Sequence, residues 1–291
     1  MIGQGQGKLF GLMAHPVHHS LSPLMHNAAY KALGIGHQYQ AFDIAPEQLG
    51  KAIAAIRTLG IGGVNVSIPH KEKVIEFLDE IDDEAKVIGA VNTIVRQEDG
   101  RLKGYNTDGE GYVRSLLAET KVELPTASIL LLGAGGAAKG IGIYLLKMGA
   151  QKITIANRTL AKAEELQKQL EAYSGSPHIH TLSLEELDET KLGEFTLIIH
   201  TTPTGMWPNI EQVPLSLKGI RPATIVSDIV YNPLHTAFLK QAESEGAIIH
   251  EGLGMFLYQG ALAFERFTGL EAPIEVMKKE VVEQLQLGGK Q

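Results

Sequence analysis

Apolar and polar positions alternate in blocks along the first third of the chain, and each block has the length of one element. KLFGLMA (8–14) is an apolar run of strand length, and HQYQAFDI (37–44) alternates with the period of a half-buried strand. SPLMHNAAYKALG (22–34) predicts a helix with Ser22 as N-cap and Gly34 as its stop. PEQLGKAIAAIRTLG (46–60) predicts a second helix, with Pro46 at its start and Leu49, Ile53 and Ile56 at helical spacing. GGVNVSIP (62–69) reads as a strand and HKEKVIEFLDEI (70–81) as a third helix. This strand–helix order predicts a mainly parallel sheet covered by helices.

A hairpin follows, AVNTIV (90–95) and RLKGYN (101–106), turning at Glu98-Asp99-Gly100. The helix GEGYVRSLLAET (109–120) leads into a second run of strands: SILLLG (128–133), KITIAN (152–157), FTLIIHT (195–201) and TIVSDIV (224–230). GMFLYQGALAFERF (254–267) and PIEVMKKEVVEQLQ (273–286) are helical with no strand between them. Two helices with nothing beneath them need a sheet to cover. The expected fold is therefore α/β with two domains: 1–108, an α/β domain with a mainly parallel sheet; 109–251, a Rossmann-type domain; and 252–291, helices returning to the first domain.

Composition narrows the function classes. The 291-residue chain is 44% hydrophobic and 20% charged, ordinary for a globular protein. A net charge of −7 without a basic block gives no electrostatic case for nucleic acid. No segment predicts targeting or a membrane span; the glycines and Lys139 inside the most apolar stretch, 128–150, argue for strand, turn and helix. The absence of cysteine removes disulfides, Cys-ligated zinc and thiol catalysis, and suits a reducing cytoplasm.

Five segments bear on the candidate chemistry. Gly133, Gly135, Gly136, Ala137 and Ala138 form G-x-G-x-x-A between an apolar strand and an apolar helix, where backbone N–H groups can approach a pyrophosphate. The second strand of that unit ends at Asn157, Arg158 and Thr159, with Lys162 close behind, where an NAD site would usually place an acidic residue. An amide, a guanidinium and a hydroxyl suit a 2′-phosphate, so the expected cofactor is NADP(H). NVSIPHKE (65–72) ends a strand on Asn65, Ser67, His70 and Lys71, and GYNTDGEG (104–111) places Asp108 between glycines. A lysine and an aspartate beside a nicotinamide can move the proton that carbonyl–alcohol chemistry requires. HPVHHSLSPLMHN (15–27) holds four histidines, but no cysteine and no H-E-x-x-H spacing joins them, and no metal is expected.

Taken in order, HSLSPLMHN, NVSIPHKE, GAVNTI with GYNTDGEG, GAGGAAKG with NRT, DIVYNPLHTAFL and GLGMFLYQGALAFERFTG resemble the shikimate/quinate dehydrogenase family over nearly the whole chain. The resemblance implies reversible reduction of 3-dehydroshikimate to shikimate with NADPH, in the pathway to aromatic amino acids. It implies that Ser20 and Ser22 hold the substrate carboxylate and that Asn65, Ser67, Asn92, Tyr231 and Gln259 contact substrate. It further implies that Lys71 transfers the proton with Asp108 as partner, and that Gly252 and Met255 meet the nicotinamide. TTPTGM (201–206) varies the family's stretch here, with Thr201 on the cofactor side. His19 and His26 are expected to shape the loop and helix start around the serines. Monomer and homodimer stay open. Rival readings are a broader quinate enzyme, a reductase sharing only the cofactor half, and a non-catalytic NADP-binding sensor.

Overall fold

The computed structural model describes residues 7–18, 20–175 and 178–288. Among them the chain forms two compact units: one holds the residues up to Thr107 and those from Leu257 onward, the other runs from Asp108 to Phe256.

The first unit begins β1 (Leu9–Ala14), α1 (Ser22–Ala32), β2 (Gln38–Asp43), α2 (Leu49–Leu59) and β3 (Gly63–Val66). It continues through β4 (Glu80–Ile81), α3 (Asp83–Ile88), β5 (Thr93–Arg96) and β6 (Leu102–Tyr105). The strand order is β2-β1-β3-β5-β6-β4. Only β5 runs against its neighbours, through the expected hairpin to β6. The apolar stripe Leu49, Ile53 and Ile56 on α2 packs with Met13, Val64, Val66, Ile94 and Leu102 into one core.

Two readings of this unit are corrected. Ser22 is the first residue of α1, not its cap; Leu21 holds the cap position and Pro23 occupies the first turn, where its missing N–H does no harm. Residues 70–81 do not form a helix but a short 3-10 turn, Lys73–Phe77, followed by β4. Val74, Phe77, Leu78 and Ile81 have helical spacing, yet Asp79 pulls the chain into the sheet. Its carboxylate accepts from the Leu102 N–H at 2.7 Å and from Arg57 at 2.6 Å, and its own N–H donates to the Leu102 carbonyl at 3.0 Å.

The second unit comprises α4 (Asp108–Glu119), β7 (Ser128–Leu132), α5 (Gly136–Lys147), β8 (Lys152–Asn157), α6 (Leu160–Ser174), β9 (His178–Ser183) and α7 (Glu189–Leu192). It continues with β10 (Leu197–His200), β11 (Ile225–Asp228), α8 (Ala237–Ser244) and β12 (Ile248–His250). All neighbours pair in parallel in the order β12-β11-β10-β7-β8-β9. This is a doubly wound sheet, with the order reversing at β7, beside which ligands bind in such folds. β9 and β12 were not predicted: both are edge strands, one polar and one short, completed by a single neighbour. Then α9 (Leu253–Thr268) takes the chain back to the first unit, and α10 (Ile274–Gly288) packs on α1. No described helix is long and apolar enough to cross a membrane.

Candidate active site

In the first unit a buried polar network gathers beside the end of β3. Asn65 is 6% exposed and Asn92 2% exposed, so each needs its hydrogen bonds met inside the protein. The Asn65 Nδ2 group donates to the Asn92 carbonyl at 3.1 Å and to Thr93 Oγ1 at 3.0 Å, and its Oδ1 accepts from the Tyr39 hydroxyl at 2.8 Å. The Asn92 Oδ1 accepts from Thr93 Oγ1 at 2.9 Å and from the Thr107 N–H at 2.8 Å, while its Nδ2 donates to Thr107 Oγ1 at 3.0 Å. Thr107 Oγ1 in turn donates to the Gln259 carbonyl on α9 at 3.1 Å. The network thus fixes the orientation of two carboxamides and ties the chain just before Asp108 to the helix that bears Gln259.

Sequence reasoning missed Tyr39 and Thr93, and placed Thr107 in a polar cluster without giving it a role. Tyr39 sits in an alternating strand where an aromatic reads as core, and it is fully buried. Asn27 on α1 clamps it, donating to its carbonyl and accepting from its N–H, both at 2.9 Å. His26 stacks on the Tyr39 ring at 4.2 Å, and burial pulls its pKa down to about 3, so it is a neutral packing element. The signal for Thr107 was its place between Asn106 and Asp108 in the quoted polar cluster.

Lys71 is half-buried in the turn that follows β3. The His70 N–H donates to the Ser67 carbonyl at 2.8 Å, and buried His70 donates from Nε2 to the Ile44 carbonyl at 2.7 Å. The Lys71 carbonyl accepts from Val91 N–H at 2.8 Å, so its main chain lies beside the strand entry that carries Asn92. Ser67, Lys71, Asn65 and Asn92 therefore share one end of the sheet. Ser20 and Ser22 meet at the head of α1, where Ser20 Oγ accepts from the Ser22 N–H at 3.3 Å. His15 and His18 both face Asp43, at 2.7 and 3.3 Å, and His19 lies outside the described residues. Asp108 is the first residue of α4 in the second unit.

The second unit holds the glycine turn at the end of β7. Gly133 has φ +113°, and a Cβ there would stand 2.5 Å from Thr201 Oγ1, so both backbone and space demand glycine. Gly135 and Gly136 differ. Their backbones are ordinary, both are exposed, and a Cβ on either would meet nothing within 4 Å. Nothing among the described residues crowds them, and the N-terminal amides of α5, without a side-chain cap, open there; this fits the close approach of a pyrophosphate. Ala137 is half-buried, and Ala138 is buried under the turn.

At the end of β8, Asn157 Nδ2 donates to the Thr159 carbonyl at 2.9 Å, which shapes the entry to α6. Arg158, Thr159 and Lys162 are exposed around that entry. Thr201 donates to the Leu132 carbonyl from both Oγ1 (2.7 Å) and N–H (2.9 Å), next to Gly133. Gly252 lets the chain pass close to β11, since a Cβ there would lie 2.5 Å from the Ile229 carbonyl oxygen. Tyr231 stacks on Phe256 at 5.0 Å, and burial raises its hydroxyl pKa. Met255, half-buried, follows on α9.

A doubly wound unit with a glycine turn, joined in one chain to a smaller unit bearing a buried polar network and a lysine, defines a nicotinamide-dependent dehydrogenase of the α/β class. Three family models match: the shikimate dehydrogenase substrate binding domain over 12–94, shikimate / quinate 5-dehydrogenase over 116–206, and the shikimate 5'-dehydrogenase C-terminal domain over 252–282. The chain is 53% identical to the shikimate dehydrogenase (NADP(+)) of Geobacillus sp. (strain WCH70), over 96% of this chain and 99% of that one. Shikimate 5-dehydrogenase from Listeria monocytogenes, solved with shikimate and NAD, superposes with a TM-score of 0.89 at 35% identity, covering 97% and 98% of the two chains. The Thermus thermophilus enzyme, solved with NADP(H) and shikimate, gives 0.84 at 33% identity over 95% and 99%. The chain belongs to the shikimate dehydrogenase family.

Proposed function

We infer that this protein is an NADP-dependent oxidoreductase that reversibly reduces 3-dehydroshikimate to shikimate. The observation that carries the reading is the near full-length likeness to enzymes of that activity. The unit with the Asn65–Asn92 network takes the substrate, and the unit with the glycine turn takes the cofactor. Cysteine-free composition suits the cytoplasm as its location.

NADPH supplies the hydride when bound. Lys71 donates a proton to the carbonyl oxygen in reduction and recovers it from the hydroxyl in oxidation, with Asp108 orienting the ammonium. Asn65, Ser67, Asn92 and Gln259 hold ring hydroxyls, together with Tyr231, and Ser20 and Ser22 hold the carboxylate. A substrate rich in hydroxyls suits carboxamides whose orientation is already set, because an analogue lacking a hydroxyl leaves a buried partner unpaired. Asn157, Arg158, Thr159 and Lys162 receive the 2′-phosphate, and Gly133, Gly135, Gly136, Thr201, Gly252 and Met255 line the rest of the cofactor path.

The test is NADP⁺ reduction followed by absorbance, with shikimate and then quinate as the sole alcohol. Shikimate should be turned over, and Lys71→Ala should lose most of kcat with a modest change in shikimate KM. Tight NADP⁺ binding without turnover of either alcohol would leave the non-catalytic sensor as the reading. Half of the wild-type kcat in the variant would remove Lys71 from the proton path.

A further inference from the structure

We propose that the buried Asp228–His200 pair is a positioning device for the glycine turn, acting through the hydroxyl of Thr202. The proposal rests on the reading of that turn as the NADP(H) site. His200 and Asp228 are the last residues of β10 and β11, opposite each other in register, and both side chains are 0% exposed. Asp228 Oδ1 lies 3.0 Å from His200 Nδ1 and also accepts from the Val230 N–H at 3.0 Å, while Oδ2 accepts from the Thr236 hydroxyl at 2.8 Å.

A carboxylate offers only lone pairs, so the proton in the first contact belongs to His200 Nδ1. On the other side of the ring, His200 Nε2 lies 2.6 Å from Thr202 Oγ1, within hydrogen-bond distance. Thr202 Oγ1 also donates to Thr204 Oγ1 at 3.1 Å and accepts from the Thr204 N–H at 3.3 Å. The contacts run unbroken from a fully buried carboxylate to a half-buried threonine at the loop.

With its hydroxyl pinned to His200, Thr202 turns its methyl group towards Gly133: a Cβ on Gly133 would stand 3.0 Å from Thr202 Cγ2. Thr201 holds the carbonyl of Leu132, the residue before that glycine, from two donors. The end of β7, its turn glycine and two threonines thus form one wall, and His200 sets the rotamer of one of its members. Neither His200 nor Thr202 was singled out in the sequence, because a histidine ending an apolar strand reads as core.

Two substitutions separate the links. Thr202→Val keeps the shape and removes the hydroxyl; His200→Asn keeps an amide near Asp228 and is too short for Thr202. Dissociation constants for NADP⁺, read by calorimetry or by quenching of Trp207, the only tryptophan, should rise about fivefold to tenfold in each, the scale of one hydrogen bond. KM for NADP⁺ should rise in parallel, with shikimate KM and kcat at saturating cofactor within about twofold. The double variant should bind no worse than the weaker single variant, since both act on one path. Wild-type affinity in Thr202→Val, or losses that add in full, would overturn the proposal. A wild-type protein that binds NADP⁺ but leaves shikimate untouched removes the functional reading and leaves this affinity test standing.

Discussion

Arg158 and the network around Asn65 differ in how the surroundings hold them. Arg158 is exposed, at a helix entry shaped by Asn157. Its guanidinium is therefore available to grip a phosphate through a charge-assisted fork. Arg158→Ala should raise KM for NADP⁺ about tenfold or more, the scale of such a bond, and change KM for NAD⁺ far less. Equal shifts in steady-state assays with both cofactors would deny it the 2′-phosphate. Asn65 was readable as a candidate because a carboxamide at a strand end is conspicuous, whereas Asn92 came only with the family resemblance. Tyr39 and Thr93 were not readable, because each lies in a strand pattern that packing alone explains, and their partner Asn65 stands 26 and 28 residues away in sequence.

At the scale of elements, the glycine turn was legible because strand, turn and helix are adjacent in sequence and the motif is local. β4 and β9 were not, since each exists through pairing with a strand supplied elsewhere. Inside the turn the glycines separate into two kinds. Gly133→Ala places a side chain in a left-handed backbone and against Thr201, and should lower Tm with a loss of about 2 kcal/mol or more. Gly135→Ala meets open space and should leave the thermal midpoint of the free protein nearly unchanged while weakening NADP⁺ binding. Melting curves with and without NADP⁺ check both. A Gly135→Ala protein stabilised by NADP⁺ as fully as the wild type would show that no ligand comes close to that glycine.

In each unit burial holds the pKa of one histidine well below its usual value. His26 in the first has a pKa brought down to about 3 by desolvation, and His250 in the second has one brought down to about 4. His250 is held between the hydroxyls of Ser115 and Ser227, each at 2.8 Å, with Glu119 3.8 Å away. Unfolding frees both to take up protons at an ordinary histidine pKa of about 6.5. The unfolded state therefore binds more protons below that value, and stability is full above it and falls as pH drops towards 4. Between pH 7 and pH 5 each histidine should remove about 2 kcal/mol. Calorimetric scans should show Tm falling over that range, and His250→Gln should reduce the slope by roughly half. A slope unchanged by that substitution would assign the acid sensitivity to other groups.

The first unit is written in two separate stretches of chain, and this orders its birth. Phe10 in β1 stacks on Phe267 of α9 at 4.9 Å, Tyr30 meets Phe264 at 5.3 Å, and Gly260 passes over Met25. On the ribosome the N-terminal sheet emerges first, with that aromatic face bare. The continuous unit from Asp108 to Phe256 must be made before its cover arrives. At ordinary elongation rates the wait is on the order of ten seconds. During it the nascent chain exposes Phe10, Met25, His26 and Tyr30 to whatever apolar surface is near, chaperone or neighbour. Truncation within the last two helices would make that interval permanent.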